Sequence, residues 1–110
     1  MTLPLIAITE AVSFDRTLGE HGGNALVLFG APWCRPALRL AAVLEGLLPT
    51  LPMPVLHVDV DRAPSVPPRF GVFAVPSLIL LRSGLVAAQR SGELRADDVK
   101  LWLEDLLAPA

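Results

Sequence analysis

The chain alternates between short unbroken apolar runs and longer stretches in which apolar residues return at helical spacing. Ala25–Phe29 is the clearest of the runs. Continuous apolar character over that length marks a strand covered on both faces, in the middle of a sheet. Leu3–Thr9 and Val55–Val60 read as two more strands. Two helical stretches lie between them. Glu10–Leu18 places Val12 and Leu18 around Phe14 as an inner side, with Thr9 and the following glutamate as a cap. Cys34–Leu48 is the stronger pattern: Ala37, Leu40, Ala41, Leu44, Leu47 and Leu48 recur on one face. Pro36 is tolerated in the first turn, and Pro49 ends the helix.

The second half changes character. Ala63 to Pro68 is a proline-rich loop that leads into one helical turn at Pro68–Phe70, and Gly71–Val75 carries the chain to Pro76. Ser77–Arg82 and Leu85–Arg90 are strand-like runs on either side of Ser83-Gly84, which reads as a hairpin. Gly92 bends the chain. Ala96–Leu107 is a last helix, with Val99, Leu101, Trp102, Leu103, Leu106 and Leu107 apolar and with Asp97 and Asp98 near its positive end. The order is βαβαβ, a link, then ββα. The first half needs parallel strands with helical crossovers, and the second adds a hairpin and a helix. An α/β fold with a mixed central sheet flanked by helices accommodates both. A length of 110 residues fits one domain over 1–110.

Composition narrows the function classes. The chain is 53% hydrophobic and 18% charged, which is the balance of a folded domain. A net charge of −2 without a basic cluster gives no reason to expect nucleic acid. No apolar run is long enough to span a bilayer, and no basic leader precedes Leu3–Ile8, so no membrane partner and a cytoplasmic location are expected. The single cysteine excludes an internal disulfide. His21 and His57 lie far apart and lack the spacing of metal ligands, so neither a metal nor another cofactor is expected. His57 in an apolar strand reads as a half-buried packing residue and His21 as an exposed turn residue. Asp59 and Asp61 read as strand-end and turn residues.

The chemistry concentrates where the central strand runs into the strongest helix. Cys34 sits at that helix start, where unpaired backbone N–H groups and the macrodipole favour a thiolate, and Arg35 adds a neighbouring cation. Trp33 beside the thiol reads as part of a contact surface, with Phe73 a second aromatic on the later loop.

Trp33-Cys34-Arg35-Pro36 resembles the active-site segment of the thioredoxin family, Trp-Cys-x-Pro-Cys, and Phe29-x-Ala31-Pro32 fits ahead of it. Asp59-Val60-Asp61, Phe70-Gly71-Val72, Val75-Pro76-Ser77, Gly84 and Gly92 match further landmarks in register, so the resemblance covers nearly the whole chain. It implies the thioredoxin fold. It makes Cys34 the nucleophile, with Arg35 and Pro36 in the active-site turn. It also implies a substrate groove at Trp33, Val75, Pro76 and Gly92, with Pro76 cis and facing the cysteine. The departures are coherent. The family's second, resolving cysteine falls on Ala37. Its buried aspartate falls on Leu28, an accompanying lysine on His57, a second tryptophan on Gly30 and a helix-kinking proline on Ala42.

The resemblance thus implies a thiol–disulfide redox protein that has the attacking thiol and lacks the resolving one. Its mixed disulfides with protein disulfides or extended peptide segments would persist until an outside thiol, such as glutathione, or a thioredoxin reductase acts on them. Cys-x-x-Ala is also what a partner-trapping substitution would leave. Two alternatives stand beside this: a non-catalytic binding or chaperone-like module that keeps the peptide groove, and a monothiol-glutaredoxin-like protein using Cys34.

Overall fold

The computed structural model describes residues 2–92 and 94–109. Its core is the run the sequence singled out. Strand β2 (Ala25–Gly30) is buried at every position, because a neighbouring strand covers each edge and helices cover each face. Strands β1 (Leu5–Ile8), β3 (Val55–Asp59), β4 (Ser77–Arg82) and β5 (Leu85–Ser91) complete a five-stranded sheet in the order β1-β3-β2-β4-β5. β1 and β2 both run parallel to β3. β4 is antiparallel to β2 and to β5, so the sheet is mixed.

Alternation along the strands sorts the core into two layers. Ala25, Val27 and Phe29 of β2 face one way, with Leu56 and Val58 of β3 and Ile79 and Leu81 of β4. Helix α1 (Ala11–Glu20) covers this face through Phe14. A 3-10 turn, Pro67–Phe70, also closes on it, and the Phe70 ring lies edge-on to Phe14 at 5.8 Å between centroids. Leu26 and Leu28 face the other way with Val55, Leu78 and Leu80. Helices α2 (Arg35–Leu47) and α3 (Ala96–Leu107) cover that side through Leu40, Leu44, Val99 and Leu103.

Several local expectations shift. Val12 is 67% exposed, so it is not part of the inner side of α1; Phe14 and Thr17 are. The N-cap of α1 is Glu10, with no side-chain cap bond, rather than Thr9. α2 ends at Leu47, just ahead of Pro49 as expected, and the chain continues as a 3-10 turn, Leu48–Thr50, in which a proline near the start costs no hydrogen bond. β1 and β3 are shorter than their apolar runs, at Leu5–Ile8 and Val55–Asp59. Leu101 faces solvent, Trp102 packs at the edge of the α2/α3 layer, and His21 is part-covered rather than open.

The hairpin is tied back onto the molecule. Ser83 and Gly84 both have positive φ, as a two-residue turn matched to strand twist requires. Asn24 Oδ1 accepts the Ser83 N–H at 3.1 Å, and the Gly84 N–H reaches the Gly23 carbonyl at 2.9 Å. A Cβ on Gly23 would stand 2.5 Å from the Gly84 nitrogen, so only glycine permits this approach.

Leu28 is fully buried in the α2/α3 layer. Replacing it by aspartate removes that packing and buries a carboxyl among leucines, so Leu28→Asp is expected to cost about 3–5 kcal/mol of stability. Denaturant midpoints of the two proteins measure this, and an equally stable variant would show that this layer tolerates a buried acid.

Candidate functional site

β2 ends at Gly30, and the chain turns through Ala31, Pro32 and Trp33 into Cys34. Cys34 is the N-cap of α2, in an extended conformation that turns the chain into the helix. Its N–H bonds the Ala31 carbonyl at 3.0 Å, and its carbonyl accepts the Leu38 N–H at 3.1 Å as the first bond of the helix. Pro36 in the first turn lacks a donor that this turn has no use for.

Cys34 is 6% exposed. It forms a small apolar cluster with Ala31 and Ala37, against which Val60 and Val75 pack. Thus the loop before β4 comes back to the thiol, although Val75 is distant in sequence. The Val75–Pro76 peptide bond is cis. The Pro76 carbonyl accepts the Gly92 N–H at 3.0 Å, so Gly92 braces the proline from the end of β5, and its positive φ allows the bend. Ser77 Oγ, buried at the start of β4, donates to the Ala74 carbonyl at 2.7 Å and lies 3.3 Å from Ser91 Oγ.

Trp33 is 65% exposed, yet it is held: its indole N–H donates to Asp61 Oδ2 at 2.6 Å. Asp59, in turn, accepts the backbone N–H groups of Asp61 and Arg62 at 3.0 and 3.3 Å and shapes the turn that presents Asp61. Trp33, Pro64, Pro67, Val72, Phe73 and Val75 line an open depression of about 370 Å³, and among the described residues no charged side chain lines it. Arg35 is exposed on α2 and lies outside the apolar cluster.

Behind the thiol turn, Gly30, Ala37 and His57 meet. A Cβ on Gly30 would stand 2.6 Å from the Ala37 methyl and 3.0 Å from His57 Nε2. Close packing therefore explains why a small residue ends β2. His57 also borders a depression of about 210 Å³ with Thr9, Ala31, Pro32, Leu38 and Asp59. Burial holds its imidazole below the ordinary histidine value, and the nearby Asp59 carboxylate opposes this only partly. His57 is accordingly a neutral, half-buried group. Among the described residues no three or more His, Cys, Asp or Glu side chains group as a metal site would require, and no helix is long and apolar enough to cross a membrane.

The fold and this turn have clear relatives. The family profile described as Thioredoxin matches residues 5–105. The chain belongs to the thioredoxin family. It is 32% identical over 94 residues to a thioredoxin of Rhodospirillum rubrum, which covers 84% of this chain and 90% of that protein. It is 28% identical over 106 residues to a thioredoxin of Pseudomonas aeruginosa, covering 94% and 97% of the two. Among solved structures, a point mutant of a thioredoxin from Halobacterium salinarum NRC-1 superposes with a TM-score of 0.82 at 25% identity, covering 98% of this chain and 94% of that one. Membership makes the chain a thioredoxin-fold protein of a family whose general chemistry is thiol–disulfide exchange with protein disulfides.

Sequence reasoning missed two supports of the site. Asp61 holds Trp33 from 28 residues away, and Ser77 holds the loop carbonyl of Ala74. Both lie in segments that match family landmarks, but an aspartate after a strand and a serine after a proline are ordinary turn residues, so neither signalled its hydrogen-bond partner.

Two measurements check this packing. Gly30→Ala is expected to lose about 1–3 kcal/mol of stability, the usual cost of an overpacked core; an unchanged denaturant midpoint would mean that His57 and Ala37 yield freely. The neutral His57 gives a sign for pH. The unfolded chain takes up a proton at the ordinary value of about 6.5 that the folded chain resists. Stability fully present above that value should therefore fall as the pH drops below it toward the lowered folded value. Urea midpoints at pH 7.5 and 5.5 should differ less in His57→Gln than in the parent.

Proposed function

We propose that this chain, acting as a single domain, is a redox protein that works with one cysteine and forms long-lived mixed disulfides with protein partners. The observation that carries the reading is the cluster in which Cys34 and Val75 pack together while residue 37 contributes only a buried methyl. Cys34 would attack a partner disulfide as the thiolate. One partner sulfur would become bonded to Cys34, and the other would leave as a thiolate. Ala37 has no sulfur with which to expel the bound partner. Release then falls to an outside thiol, such as glutathione or the dithiol of a thioredoxin reductase, which takes over the disulfide bond. Val75 would orient an extended partner segment by backbone pairing, in the manner of strand addition. Trp33, Pro76 and Gly92 would form and brace the walls of that groove, and a cytoplasmic setting fits the single unpaired thiol.

A second reading, a binding module without redox chemistry, is favoured by the burial of Cys34 and by Leu28. Alkylation separates the two. Reaction of Cys34 with iodoacetamide in the native protein supports the redox reading, and a thiol that reacts only in denaturant supports the binding module.

Turnover provides the main test. With dithiothreitol and insulin as substrates, the parent should be slow, and Ala37→Cys should raise the rate by about tenfold or more, equivalent to roughly 1.4 kcal/mol of barrier. Equal rates for the two proteins would defeat the argument that position 37 limits release.

A further inference from the structure

The surface around Cys34 is chemically two-sided, and the two sides meet at Trp33. On one side is the apolar depression walled by Pro64, Pro67, Val72, Phe73 and Val75. Phe73 stands 85% exposed at its rim, far more than an aromatic ring serving packing alone requires. On the other side is a second open depression of about 650 Å³, lined by Pro32, Trp33, Arg35, Leu38 and Arg39. Arg35 and Arg39 stand one helical turn apart on α2, so their side chains share a face. Among the described residues no acidic side chain lines either depression. The Asp61 carboxylate is turned to the Trp33 indole N–H. The chain as a whole carries a net charge of −2, so an exposed arginine next to Cys34 in the chain does not simply reflect a basic surface.

We infer that the preferred partner of Cys34 is an extended polypeptide segment whose cysteine is flanked by an apolar side chain on one side and by acidic side chains on the other. This rests on the redox reading above and specifies its substrate. The apolar flank would lie between Trp33 and Phe73. Burial there removes apolar area from water on both partners, and the uncharged lining leaves any flanking charge desolvated without a partner. The acidic flank would lie over Arg35, the exposed residue that follows Cys34 in the chain. Opposite charges at an exposed rim act mainly on the rate of encounter and on the rejection of wrong partners. Trp33, clamped by Asp61, separates the two subsites and keeps them in register with the sulfur.

The test uses the intact protein and short peptides, each with one cysteine activated as a disulfide to 2-thiopyridine. Attack by Cys34 forms the Cys34–peptide disulfide, breaks the bond to the pyridyl sulfur and releases pyridine-2-thione, whose absorbance reports the rate. Four peptide types are compared in both chain directions: leucine or serine on one flank, and glutamate or lysine on the other. At low ionic strength the glutamate peptides should react about threefold or more faster than the lysine peptides, with the advantage shrinking in salt. Arg35→Gln should bring the glutamate-to-lysine ratio close to one, and Arg35→Lys should restore it. Phe73→Ala should lower the leucine-to-serine ratio while leaving the charge ratio in place. If Arg35 serves only the thiol or the helix, Arg35→Gln will change all peptide rates alike and the ratio will stand, which overturns the inference. Equal rates for all peptides with the parent protein overturn it too, while leaving the redox reading intact. If no peptide releases thione, the redox reading itself fails.

Discussion

Everything in this molecule is arranged around a strand that water cannot reach. β2 is flanked by β3 and β4 and covered on both faces, so each of its backbone groups must be paired and each side chain must fit a filled layer. That requirement selects an apolar run, demands helices on both sides and leaves only the strand's end free to present polar chemistry. The end of β2 is where Cys34 emerges. In open α/β sheets the carboxyl ends of strands are the usual place for binding and chemistry, because there the chain leaves the packed layers while remaining anchored to them.

The same packing shapes the site from behind. Gly30, Ala37 and His57 crowd one point, so bulk at any of them must come at the expense of another. With glycine at the strand end, the imidazole and the helix start approach closely. With leucine at position 28, the layer beneath is wholly apolar. Ala37, Leu28 and Gly30 are therefore three parts of one local solution: a dry, closely packed seat for the start of α2. It holds the Cys34 thiol at the helix start, with a methyl at position 37 and leucine at position 28.

In front of the thiol the construction differs. The apolar trough is made from the Pro64–Val75 region and Trp33, none of it in a strand or long helix. Its shape relies on a few specific hydrogen bonds: Trp33 to Asp61, Ser77 to Ala74, and Gly92 to Pro76. Prolines stiffen it further. A preorganised surface of this kind loses little conformational freedom when a partner segment lies on it.

The element order, the identity of the central strand and the location of the thiol were all legible in the order of residues. These rest on local physics: apolar runs, helical spacing, and glycine and proline as punctuation act over a few residues and are visible in them. The same signals missed Val12, because which residue of an amphipathic turn faces inward depends on the layer it meets. Folding in three dimensions brought Val75 to Cys34, gave Asp61 the task of holding Trp33, and set His57 against Ala37 and the glycine between them. Each of those joins residues that are remote along the chain. Their meeting is fixed by sheet register and by the pairing of loops across the strand ends, and no local pattern of hydrophobic and polar residues encodes that geometry.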